Sequence, residues 1–150
     1  MWPFKKKPPA APVAEDLGAA ELAWLQQQRD AFGSLARTAG IEPGEPLAAA
    51  DALIQWWRAE PESGRIDPNL VVNATGVALG DALAARCGLS WRIITDPFGT
   101  DLGLWRTDPM IVVSPTHTVA KNFADGPQGF VSAAFASISD KVRQLTSQLS

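Results

Sequence analysis

Residues that carry chemistry are scarce in this sequence. There is one cysteine, Cys87, one histidine, His117, and no tyrosine in 150 residues. A single cysteine excludes an intrachain disulfide framework. One cysteine and one histidine cannot build a usual zinc site, which takes three or four ligands with those two residue types prominent. No G-x-S-x-G elbow, Walker motif, dinucleotide fingerprint or H-E-x-x-H occurs. No stretch reaches the roughly 18–20 apolar residues of a spanning helix. Lys5, Lys6 and Lys7 are followed by Pro8 and Pro9 rather than by the apolar run of a signal peptide. A cytoplasmic protein is expected. A formal charge of −3 is mild and argues against a dedicated nucleic-acid binder, which needs a basic face. These absences leave no expected catalytic residue, metal site or cofactor.

The chain has enough apolar residues, 46%, to form a globular core. Its length buries roughly two-thirds of the unfolded surface without covalent staples. Residues 1–14, MWPFKKKPPAAPVA, read as a flexible tail, because four prolines forbid a regular helix. Trp2 and Phe4 beside three lysines make a feeble membrane anchor, short of the roughly four to eight basic residues usually needed. Residues 15–150 read as one domain.

Helical periods come first. A helix is expected over Glu15–Ala39, with Leu22, Leu25, Phe32, Leu35 and Ala39 on one stripe and Gly40 as its stop. Pro46 opens a second helix that buries Leu47, Ala50, Leu53, Ile54 and Trp57. Asp67-Pro68 opens a third, which runs to Cys87 and stops at Gly88. Gly76 and Gly80 lie four apart within it. A glycine inside a helix costs roughly 0.5–1 kcal/mol relative to alanine, so close approach of another element is expected as compensation. Three short strands follow, around Trp91–Thr95, Leu102–Trp105 and Met110–Val113. The turns Asp96-Pro97-Phe98-Gly99 and Thr107-Asp108-Pro109 join them into an antiparallel meander. After Pro115, a short helix carries Val119 and Phe123. Asp125 and Gln128 have capping-box-like spacing before a long terminal helix bearing Val131, Ala134, Phe135, Ile138, Val142, Leu145 and Leu149. The fold class is α+β: N-terminal helices, a three-stranded meander covered by helices, and a long C-terminal helix.

The run GVALGDALAARCGLSWRIITDPFGTDLGLW, followed by IVVSPTHTVAKNF, resembles a bacterial domain of unknown function, the DUF3806 family. The features that carry the resemblance are Gly76 and Gly80, Gly88, Trp91, Asp96 with Gly99, and Pro115, in that order. A basic pair often follows in the family; here Lys121 is followed by Asn122. The resemblance covers roughly residues 69–125. It implies an α+β domain with N-terminal helices and carries over no established activity and no catalytic residues.

The candidate binding residues are Trp91, Asp96, Asp101, Trp105, His117 and Lys121, with Thr100 and Arg92 nearby in sequence. Asp96 and Asp101 flank one turn and are the only carboxylates there that can act together. The bland reading makes Asp96 a turn acceptor. A Cys87–His117 dyad would need the end of the third helix to meet the segment after the sheet, and no third orienting group is evident. Trp2, Trp24, Trp56 and Trp105 exceed what a core needs, and tryptophan is enriched at binding hot spots. The expected function is therefore a non-enzymatic protein-interaction module, of which an immunity-type or secretion-accessory protein is one concrete form. The partner is a protein or a second copy of the chain. One alternative is a small-ligand binder or enzyme with its site near the 96–101 turn and His117. The other is a structural homodimer joined through the terminal helix or an uncovered strand edge.

Overall fold

A computed structural model describes residues 11–148. The tail residues Trp2, Phe4 and Lys5–Lys7, and Leu149 of the terminal stripe, lie outside it. In chain order the elements are β1 (Val13–Glu15), α1 (Ala19–Ala39), α2 (Pro46–Ala59), α3 (Pro68–Cys87), β2 (Ser90–Asp96), β3 (Gly99–Arg106), β4 (Ile111–Val113), α4 (Pro115–Asn122) and α5 (Phe130–Ser147). The fold is α+β.

The sheet has four antiparallel strands in the order β1-β2-β3-β4, one more than the meander read from the sequence. The extra strand comes from the stretch assigned to the tail. Val13, Ala14 and Glu15 pair with Thr95, Ile94 and Ile93. Three residues are too few to show the period of two that marks a strand in sequence. The first helix accordingly starts at Ala19, not Glu15, and Glu21 Oε1 accepts the Gly18 N–H at its start (2.9 Å).

Helix α3 is the centre of the molecule and packs on α1, α2, α4 and α5. Its buried residues, among them Val71, Ala74, Leu79 and Leu83, go round the helix rather than along one stripe. A helix apolar on all sides is one buried on all sides. Among the described residues, α3 alone has by length and mean hydropathy (1.2) the make-up of a membrane span, although 44% of that window is buried inside the fold. Asp67 caps it as expected, accepting the Asn69 N–H at 2.9 Å, and Gly88 ends it in the left-handed conformation (φ 65°).

Both glycines of α3 are explained by close approach. A Cβ on Gly76 would lie 2.7 Å from the Thr116 backbone of α4, and one on Gly80 would lie 2.2 Å from the Trp91 ring on β2. Trp91 and its cross-strand partner Leu104 therefore form the sheet face that packs on α3. Alternation puts Arg92, Ile94, Gly103 and Trp105 on the other face.

The terminal helix starts at Phe130, and the Asp125–Gln128 capping box does not form. Asp51 of α2 caps α5 across the core instead. Its carboxylate accepts the Val131 N–H (2.8 Å), the Ser132 N–H (3.1 Å) and the Ser132 hydroxyl (2.6 Å).

Candidate functional site

The β2–β3 hairpin is paired along its whole length, from Ser90–Trp105 to Asp96–Gly99. Strand β4 reaches only Leu104, Trp105 and Arg106 of β3. The chain leaves the sheet at Pro115, which has no N–H for a ladder and opens α4 instead. Among the described residues, Gly99–Gly103 consequently has a strand on one side only. A groove of about 520 Å³ follows this free stretch and is closed on its far side by Val112, Ser114 and His117.

At the tip, the Asp96 Oδ1 accepts the Phe98 N–H (2.8 Å) and the Gly99 N–H (3.1 Å). This is the turn-acceptor role read from sequence. Asp101 is also engaged with backbone, accepting the Leu102 N–H at 2.8 Å. Thr95 and Thr100 face each other across the strands with their hydroxyls 3.0 Å apart. Neither carboxylate is bonded to His117, which is exposed on the first turn of α4. The groove thus has two carboxylates and an imidazole with no hydrogen bond between either carboxylate and the ring. Among the described residues, no group of three His, Cys, Asp or Glu side chains is placed to hold a metal ion.

The structure brings four of the expected residues to this groove: Asp96, Thr100, Asp101 and His117. Trp91 goes elsewhere. It is buried against α3, and its indole N–H donates to Asp81 (3.0 Å). Asp81 in turn holds Arg29 of α1 in a two-bonded ion pair at 2.8 and 2.9 Å. That hydrogen bond from the guanidinium, with the Asp81 charge behind it, raises the Arg29 pKa against the opposing effect of burial. Trp105 lies with Arg92 beside a separate hollow on the outer sheet face. Lys121 is exposed on α4 and is not part of the groove wall. Cys87 and His117 do not meet. Thr116 stands beside Gly76, about 16 Å of helix rise from Cys87, and the two side chains border different cavities.

Among the described residues, the exposed aromatic is not a tryptophan. Trp24, Trp56, Trp57 and Trp105 are half-buried and Trp91 is buried. Trp57 donates its N–H to the Ile66 carbonyl (2.8 Å) and carries the Arg65 guanidinium over its ring (4.5 Å). Phe98 is 96% exposed at the hairpin tip. The signal for it was present: an aromatic between Pro97 and Gly99 in a two-residue turn has no core within reach. The Arg29–Asp81–Trp91 chain and the Asp51 cap had no such signal, because their partners are 52, 10 and about 80 residues apart in sequence.

The DUF3806 family model, a domain of unknown function, matches residues 49–135. The match runs from within α2 into α5 and is wider than the stretch that carries the resemblance in sequence. A crystal structure from Bacteroides thetaiotaomicron VPI-5482, at 1.50 Å resolution, is similar with a TM-score of 0.65 and 15% identity. The likeness covers 92% of this chain and 51% of that one, so the present chain spans about half the length of that neighbour. At that identity the likeness is one of fold. No curated protein matches the chain.

Proposed function

The chain belongs to the DUF3806 family, and from that premise we propose that it is a protein-interaction module whose site is the groove along Gly99–Gly103. The observation that carries this reading is Phe98, almost wholly exposed at the head of a groove that follows an unpaired strand edge. An aromatic in water is a standing anchor for a partner. An unpaired edge is a template for strand addition, in which backbone hydrogen bonds give affinity and alternate side chains give specificity.

The occupant is an extended peptide segment of a protein partner. It pairs with the free edge, sets apolar side chains on Phe98 and Val112, and places a lysine or arginine beside Asp96 and Asp101. A second copy of this chain fits less well, because self-pairing sets two acidic edges against each other. An enzyme reading is disfavoured by the unlinked His117, Asp96 and Asp101.

The test is selection of extended peptides from a displayed random library against the full chain. Winners with alternating apolar residues and a basic residue support the reading when they slow amide exchange at residues 99–103. The reading fails when no peptide is enriched, or when Phe98→Ser and Asp101→Asn together leave the binding of the winners unchanged.

A further inference from the structure

We propose that a second site, the hollow where the end of α3 meets β3 and α5, binds a phosphate-type oxyanion. Three arginines border it: Arg86 on the last turn of α3, Arg106 at the end of β3 and Arg143 on α5. The remaining wall includes Cys87, Ser139 and Asp140. Its volume is about 220 Å³. That is below the roughly 300–1,000 Å³ of sites for whole organic ligands, so it takes a small ion or a charged end group.

Two of these arginines, Arg86 and Arg106, are less engaged than most others in the fold; Arg37 of α1, with one 3.4 Å contact to the Ser34 hydroxyl, is as free as Arg106 but stands alone. Arg29 is paired with Asp81, and Arg58 and Arg65 each donate two hydrogen bonds to backbone carbonyls. Arg92 meets the Trp91 carbonyl at 3.0 Å and Asp16 at 3.5 Å. By contrast, Arg86 has no hydrogen-bond or ion-pair partner among the described residues. Arg106 makes one long contact, 3.4 Å, with the Cys87 carbonyl. Arg143 has a single acid partner, Asp140, at 2.9 Å.

The competing role for such a cluster is to balance the negative end of α3. The magnitudes decide against that as the whole account. A helix end carries about half a negative charge, and Asp140 adds one, so the three guanidiniums leave an excess of about one and a half positive charges. The excess sits in one hollow of a chain whose formal net charge is −3. Guanidinium groups present planar donor pairs that match the oxygens of phosphate.

The test titrates inorganic phosphate into the full chain at constant ionic strength, following the arginine Nε–H signals by NMR. The expected result is a saturable shift at Arg86, Arg106 and Arg143 and none at Arg58 or Arg65. The double variant Arg86→Gln/Arg143→Gln changes two exposed side chains outside the core and should lower the affinity about tenfold or more. O-phosphoserine serves as a second probe. Tighter binding than inorganic phosphate assigns the site to a phosphomonoester end of a larger molecule, and weaker binding assigns it to the free ion. Absence of saturable shifts, or equal affinity in the double variant, overturns the proposal.

Discussion

The Trp91 ring occupies the place where a side chain on Gly80 would stand. A Cβ at position 80 would come 2.2 and 2.5 Å from two ring carbons. Strand β2 thus reaches α3 because the helix has no side chain there, and the indole N–H is then close enough to bond Asp81.

The effect of Gly80→Ala follows from that contact. Helix propensity favours the substitution by roughly 1 kcal/mol. Overpacking against a buried ring opposes it by about 1–3 kcal/mol or more, so net destabilisation is expected in urea unfolding. Gly33→Ala on α1 has the opposite sign. Its Cβ meets only the end of Arg37, at an ordinary 3.5 Å, so a gain of about 0.5–1 kcal/mol is expected. Two substitutions of like sign would refute the close-packing account of Gly80.

Gly76 and Gly80 also show what was legible in the sequence. Their spacing announced a close approach, and Asp67, Gly88 and Asp96 announced their own turns and caps, because each acts within a few residues of itself. The three-residue β1 was not legible, since its extended form depends on the open edge of β2. Nor was the start of α5, where local capping residues were present but a carboxylate from α2 took the role. Of the candidate residues, those on the hairpin line the groove and Trp91 lies against α3 instead. A strand tryptophan has two faces to choose from, and the choice was made by a glycine on another element.

Asp51→Ala removes the cap of α5 while leaving α2 with a better helix former. The expected cost is about 1–2 kcal/mol, within the range of lost caps. The Ser132 hydroxyl, 2.6 Å from the carboxylate, loses its acceptor at the same time. Urea unfolding measures the cost. A change under about 0.3 kcal/mol would show that water caps α5 equally well.

Asp81 joins Arg29 to Trp91, and two substitutions separate its roles. Asp81→Asn keeps an acceptor for the indole but removes the ion pair. Both partners are more than a third exposed, so the loss should stay below about 1 kcal/mol. Asp81→Leu also leaves the part-buried indole N–H without an acceptor, which adds about 1–3 kcal/mol. The raised Arg29 pKa implies that the arginine's share is present below its ordinary value and is lost only as pH rises through the higher folded one. From that side, stability is flat between about pH 6 and 10. Equal costs for the two variants would place no weight on the indole bond.

Phe98→Ser should leave stability within about 0.5 kcal/mol of the parent, because the ring touches little of the fold. The same change should lower adsorption to a hydrophobic column. A clear loss of stability would mean that the ring closes the groove rather than offering itself to a partner.

Asp101 is placed to guard the free edge as well as to recognise a partner. Its carboxylate holds the Leu102 N–H within the stretch that lacks a second strand. Charged side chains on an edge are a common defence against pairing with another copy. Asp101→Ala releases that N–H and removes one of two like charges that self-pairing would bring together. Concentration-dependent self-association should therefore rise above that of the parent in sedimentation velocity. The double change Asp101→Ala/Phe98→Ser should reduce it again if the two copies meet along this groove. An Asp101→Ala protein that sediments as the parent does would mean that the edge is closed by its geometry and not by the carboxylate. Strand addition by a partner would then need the hairpin to move.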